Sequence, residues 1–420
     1  MEKMSRTHLI VLASMCGLSM ATVGLITNVA GIFFTPMAED FGILRGSASL
    51  TLTIANVCVA LGGLFTRRLV KKLSMRALLV FCTIVLSAST WAMSCSPSIG
   101  LAYVLSAVRG LAGGVIGFVL ITYVLNKWFE ERLGLVTSIA MSCSGVAGAV
   151  FAPLIQAAIE QSGWRAGMML TAVLHLVLCL PAILCVRSTD PVELGLEPYG
   201  STRDVDLASD SPAGQQAVPI HKLAFVAVMG YAVLSAAVSA MPQHFVGFAD
   251  SVGLTAATGA AMVSACMLSN TVGKVLMGWL CDKIGALKTI LGFTVLVMAS
   301  IGVLLRPSLP ILCIAAAFVF GLCYARATVG LTMTCREVFG SRGFGLVYPK
   351  AALATSISNA VFSSAIGYAY DITGGYVVSL VTLLSFLACS AALSAMVMRP
   401  QTAKRPHSTT STPHFRANQA

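Results

Sequence analysis

The sequence runs to 420 residues, of which 57% are apolar and only 10% charged, against about 25% charged in an ordinary soluble domain. A soluble fold of this length could not hide so much apolar surface, so a soluble enzyme, a disordered scaffold and a disulfide-built secreted protein are excluded. The net charge of +11, from 27 Lys and Arg against 16 Asp and Glu, is spread thinly between apolar runs; it offers no basic domain to nucleic acid and is read as a topology signal.

Cut at its charges, the chain yields twelve runs long enough to cross ~30 Å of hydrocarbon as helices: 9–34, 46–66, 77–96, 99–126, 133–159, 166–186, 223–249, 254–281, 288–305, 307–335, 343–370 and 372–398. The first is followed by no small-residue cleavage site and reads as a retained helix. Glycines recur within the runs, at Gly62, Gly113, Gly114, Gly145 and Gly148, as expected where helices approach closely in lipid. Between the sixth and seventh runs, 187–220 is polar, acidic and rich in Pro, Ser and Gly, a flexible linker between two halves. The tail 400–420 is rich in Ser, Thr and Pro and reads as disordered. The expected fold is an all-α membrane protein with a six-helix bundle in 1–186, a second in 221–399, and linker and tail on one side.

With the N-terminus placed in the cytoplasm, 20 basic residues fall in inside segments and only Arg45, Arg165 and Arg306 outside. That asymmetry puts both termini in the cytoplasm of a multi-pass cell-membrane protein. The 13 cysteines sit almost all inside apolar runs, with no CxxC or Cys/His cluster, so no metal and no cofactor is expected.

Four basic residues remain, all inside runs: Arg109, Lys274, Arg326 and Lys350, while all 16 acids lie in loops or at run ends. Each such cation costs ~2.5–3.5 kcal/mol at a helix centre. With no acid in the runs to offset it, an external anion is the economical partner. Counted from the loops at 1.5 Å per residue, Lys274 and Lys350 lie about 12 Å deep and Arg326 about 15 Å, near the midplane, and Arg109 lies about 27 Å from Lys127, near the outer face. Lys274, Lys350 and Arg326 are therefore candidate substrate-binding residues, and Arg109 a structural charge. Tyr324, one turn after Phe320, and Tyr348, two residues before Lys350, are candidate cavity-lining aromatics. His175 and His244 read as locally hydrogen-bonded.

The two halves echo one another at an offset of 215 residues: GLFTRRLVKK from Gly63 and GWLCDKIGALK from Gly278. Half-chain repetition of this kind belongs to two-bundle transporters with substrate held between the bundles. On these residues the chain resembles the major facilitator superfamily, whose pattern is nearly complete at Gly278, Asp282, Lys283, Gly285 and Lys288 and degenerate at Gly63, Arg68, Lys71 and Lys72. The resemblance implies the major facilitator fold and a gating role for Gly278, Asp282, Lys283, Gly285, Arg68 and Lys71. RGLAGG at Arg109 and GVAGAVFAP at Gly145–Pro153 are similar to further family patterns. NKWFEERLG, DPVELGLEPYG, GKVLMGWLCDKIG and GFGLVYPKAALA resemble the oxalate/formate antiporter and monocarboxylate transporter branch. That branch implies that Lys274, where the family carries Arg, and Lys350 hold the carboxylate.

HExxH, GxSxG and Walker patterns are missing, so neither an enzyme nor an ATP-driven pump is expected. The expected function is a secondary transporter that moves small mono- or dicarboxylates by alternating access, working as a monomer in the lipid bilayer with the organic anion as its partner. A site with net positive charge and no acid favours anion exchange. Proton-coupled monocarboxylate symport and a non-transporting sensor with the same fold stay open.

Overall fold

The computed structural model describes residues 5–130, 133–186, 188–200, 222–307 and 309–398. The tail 400–420 and most of the linker lie outside these residues. The chain is all-helical. Its long helical segments are α1 (Arg6–Asn28), α2 (Arg45–Lys72), α3 (Met75–Ser94), α4 (Ile99–Trp128), α5 (133–162), α6 (164–185), α7 (Lys222–Ser251), α8 (Ala256–Ile284), α9 (Ala286–Leu304), α10 (Pro310–Gly340), α11 (341–373) and α12 (Val377–Val397). Among the described residues ten segments are long and apolar enough to span a membrane, one of them running 135–185. That segment breaks at Gly163 (φ 80°, ψ 168°), and α11 follows a second break at Gly340 (φ 63°), which is consistent with twelve passes.

Local chemistry sets the boundaries. Ser74, Ser98 and Thr255 cap α3, α4 and α8 by accepting a backbone N–H from Ala77, Leu101 and Thr258. Gly285, the motif glycine between α8 and α9, sits at φ 90°, where a side chain would be strained. α4 crosses α2 so closely that a Cβ at Gly114 would collide with the Val59 carbonyl and one at Gly62 with that of Leu111. Both glycines therefore serve helix approach in lipid.

The face that carries Arg6 and Val397 is the terminal face, and the opposite one the far face. One buried cluster joins both halves near the far face, with Phe33, Phe34 and Met37 packed among the same residues as Phe245, Phe248 and Met262. A second, around Leu18, Leu79, Leu120 and Trp128, belongs to the first half alone.

The start of the linker is not loose. Tyr199 donates its N–H to the Trp128 carbonyl (2.9 Å) and accepts from Glu130 N–H (3.0 Å), forming a short parallel bridge with Phe129. The His8 ring stands edge-on to Trp128, Phe129 and Tyr199 at 5.7, 5.7 and 6.0 Å, and Lys127 pairs with Asp190 at 3.2 Å. The expected flexible segment 187–220 is thus docked on the first bundle as far as 200, because Leu196 and Tyr199 pack against that bundle's own buried cluster.

Candidate functional site

Among the described residues, the hydrogen bonds and ion pairs between the two bundles run from the far face to about the middle of the helices and no further. Gly31 N–H donates to Gln243 Oε1 (3.2 Å), tying α1 to α7. Thr53 donates to the Ala360 carbonyl (2.6 Å) and lies 2.7 Å from Ser364 Oγ, tying α2 to α11. On the other side of the seam Ser264 donates to the Ala149 carbonyl and Thr271 to that of Ser142 (3.2 Å), tying α8 to α5. Beyond Thr53 on α2 and Thr271 on α8 no such bond joins the halves among the described residues, so the seam is closed at the far face and released toward the terminal face.

Lys274 stands at the point where the seam lets go. It is three residues past Thr271 on α8, half-buried, and makes no ion pair or hydrogen bond among the described residues. Helical side chains lean toward the helix N-terminus, so the ammonium leans toward the closed end. One turn in that direction is Asn270, whose amide oxygen is buried without a partner. Sequence reasoning passed over it because a lone Asn in an apolar run carries no charge. A half-buried cation with no acid beside it among the described residues has the electrostatics to pair with an anion.

Lys350 is exposed on α11, with its ammonium 5.9 Å from the Phe225 ring centroid. Phe225 is in the first turn of α7, which begins at Lys222. Lys350 itself is ten residues past the break at Gly340, about 15 Å along α11 and close to the depth counted from the loops, but its ammonium reaches back toward the terminal face. Tyr348 stacks on Phe344 at 4.8 Å and 16°, along its own helix.

Arg326 is a different case. It has no exposed surface, lies in a wide-turned stretch of α10 (Arg326–Gly330), and donates Nη2 to Ser390 of α12 at 2.8 Å. Its carbonyl accepts from the Tyr231 hydroxyl of α7 (2.9 Å), while Nε and Nη1 find no partner. In this conformation it is enclosed by its own bundle and has no path to the gap. Tyr324, two residues earlier, is half-buried with its hydroxyl shut away from solvent, and Phe320 is fully buried edge-on to Phe245.

Arg109 is buried, but not near the far face. It follows Ile99, the start of α4, by ten residues, about 15 Å. The depth counted from Lys127 was misleading because α4 runs 30 residues to Trp128, longer than the membrane is thick. His244 bonds the Ser363 carbonyl at 2.7 Å as expected. His175 is buried, with the Ala21 backbone as its polar neighbour.

The motif residues gather at the terminal face. Arg68, Lys71, Asp282 and Lys283 are exposed, Asp282 makes no ion pair among the described residues, and Lys283 lies 4.5 Å from the Trp279 ring centroid. Gly278 has open space where a Cβ would stand. No group of three or more His, Cys, Asp or Glu able to hold a metal occurs among the described residues.

The family model of the Major Facilitator Superfamily matches residues 16–346. The chain is 22% identical to the "Uncharacterized MFS-type transporter YcxA" of Bacillus subtilis (strain 168), over 90% of this chain and 93% of that one. It is 24% identical to Monocarboxylate transporter 12 of Rattus norvegicus over 61% of this chain and 57% of that one, and 22% identical to Monocarboxylate transporter 13 of the same animal over 85% and 81%. Among solved structures it superposes on a bacterial homolog of the human lysosomal transporter Spinster, in an inward-facing, occupied conformation, with a TM-score of 0.64 at 16% identity, covering 95% of this chain and 98% of that one. The nucleoside transporter NupG gives a TM-score of 0.67 at 12% identity over 94% and 99%.

Proposed function

The chain belongs to the Major Facilitator Superfamily and is a multi-pass membrane transporter rather than an enzyme; from that premise we propose that its cargo is a small organic anion, a mono- or dicarboxylate, carried by exchange. The observation that carries this reading is Lys274, a half-buried cation at the closed end of the gap with no acidic partner. A carboxylate beside it offsets the cost of a charge at that depth. Lys350 draws the anion into the gap from the terminal side, and Asn270 sits above Lys274. Arg326 and Arg109 are bundle-internal charges in this reading. The two relatives called monocarboxylate transporters support the substrate class.

Exchange follows from the sign of the site. An empty carrier with an unpaired cation would have to move that charge through a low-dielectric seam, whereas a bound anion neutralises it for the return. The 20 to 3 distribution of basic residues supports a cytoplasmic terminal face in the cell membrane, so the conformation is open inward. Asp282 and Lys283 pair across the terminal face only when that face closes. The test is uptake of labelled formate, oxalate, lactate, pyruvate and larger carboxylates into proteoliposomes, with and without unlabelled anion inside and with and without a pH gradient. Exchange predicts uptake that needs internal anion and ignores the pH gradient. Uptake driven by the gradient alone would overturn exchange, and absence of uptake for every carboxylate would overturn the substrate class.

A further inference from the structure

Helix α2 begins at the far face without a cap of its own. Its N-cap residue is Leu44, which has no side-chain oxygen, and no side chain of the preceding loop bonds the first turn. The corresponding helix of the second half, α8, does cap itself, through Thr255. Two of the first-turn N–H groups of α2 find a partner in the other bundle instead. Asp371, at the end of α11 in the other bundle, places one carboxylate oxygen 3.1 Å from Arg45 N and the other 2.8 Å from Gly46 N.

We propose that Asp371 is a helix cap supplied across the seam, and that this cap, more than the ion pair beside it, holds the far face closed. A carboxylate on two first-turn N–H groups makes charge-assisted bonds at the positive end of the helix dipole. The neighbouring pair of Arg45 and Asp250, at 2.9 Å, is open to water on the Asp250 side, 55% exposed against 15% for Arg45, and water on the carboxylate screens the pair. Arg45 instead lies flat over Tyr370, 4.3 Å from its centroid, which shields the cap on one side. On the other, Gly46 and Gly367 meet backbone to backbone, so closely that a Cβ on either would collide with the opposite helix.

The arrangement makes the cap conditional. While the seam is closed, α2 is capped; once α11 moves away, the first turn of α2 loses both bonds and has nothing nearby to replace them. Opening the far face therefore carries the cost of an uncapped helix. A cap added in cis at Leu44, which is 53% exposed and so free to change, should remove that cost.

The test is hydrogen exchange on the full chain in lipid nanodiscs, with four variants: Asp371→Ala, Asp371→Asn, Asp250→Asn, and Asp371→Ala combined with Leu44→Asp. Asp371→Ala should speed exchange in the first turn of α2 about tenfold, the size of one lost cap, and Asp371→Asn should act in the same direction by less. Asp250→Asn should change it by less than about threefold, as an exposed pair allows. The double variant should restore protection at 45–47 while exchange in α11 near 367–371 stays raised, since the helix is capped again but the seam is not. Unchanged exchange in α3 and α12 certifies the fold, and if the Ala variant fails that check the Asn variant carries the test. The proposal is overturned if the Asp371 variants leave the first turn within about twofold of the parent. It is equally overturned if Asp250→Asn has the larger effect, or if Leu44→Asp restores nothing in a folded chain.

Discussion

The two lysines of the gap should not be equivalent, and the structure sets their order. Lys274 is half-buried at the closed end of the seam, whereas Lys350 is exposed on α11 with its ammonium beside Phe225 in the first turn of α7. A carboxylate 4 Å from an ammonium gains ~4 kcal/mol at an effective dielectric of 20 but only ~1 kcal/mol in bulk water. Desolvation reduces the first figure, so Lys274→Gln should lower kcat/KM for the transported carboxylate by at least about tenfold, which is ~1.4 kcal/mol. Lys350→Gln should lower it by about fivefold. Lys274→Arg keeps the charge and should hold most of the activity, with a change in preference between substrates because a forked guanidinium recognises a carboxylate differently from a point charge. The assay is initial uptake into proteoliposomes at several substrate concentrations, normalised to protein of verified fold. If Lys350→Gln proves the more damaging of the two, depth does not set the electrostatics of the site and the reasoning fails.

Three further outcomes are expected. Asp282→Asn should slow turnover more than it weakens substrate binding, because Asp282 is exposed and makes no ion pair among the described residues while the terminal face is open; comparing kcat with equilibrium binding checks this, and a loss of binding alone removes Asp282 from gating. Arg326→Gln should leave KM within about threefold, because the guanidinium is sealed inside its bundle and does not meet the anion as the gap cations do; a tenfold rise would put it in the site. Tyr199→Ala should release the docked segment, since it removes an edge-on contact with His8 and the packing beside Phe129, contacts of about 0.5–1.5 kcal/mol beyond burial; limited proteolysis between 188 and 200 should accelerate, and an unchanged cleavage rate would contradict the docking.

What could be read from the sequence was whatever repeats or persists along the chain. Apolar runs of membrane length gave the helices, and the paired loops at Gly63 and Gly278 gave the two halves, because both signals are local. Lys274 was legible for the same reason: a charge inside an apolar run stands out without knowledge of its neighbours. The far-face cap was not, since Asp371 and Arg45 are 326 residues apart and each alone resembles a solvated loop charge. Depth misled where helices overshoot the membrane. α4 continues to Trp128, so counting from Lys127 pushed Arg109 too far out. Composition misled at 188–200, where a polar, Pro-rich segment still carries Leu196 and Tyr199 to pack against the bundle. Arg326 was legible as a buried charge but not as an enclosed one, because which side of α10 faces the gap depends on packing with Tyr231 and Ser390.

The central claim is that one carboxylate occupies the gap between the bundles against Lys274. Equilibrium binding of a labelled transported carboxylate to purified protein in nanodiscs tests it most directly, with the parent, Lys274→Gln, and Lys274→Gln combined with Lys350→Gln measured side by side at fixed ionic strength. The account predicts one saturable site per chain in the parent, affinity weakened at least about tenfold by Lys274→Gln, and no measurable site in the double variant. Equal binding by all three folded proteins would contradict it.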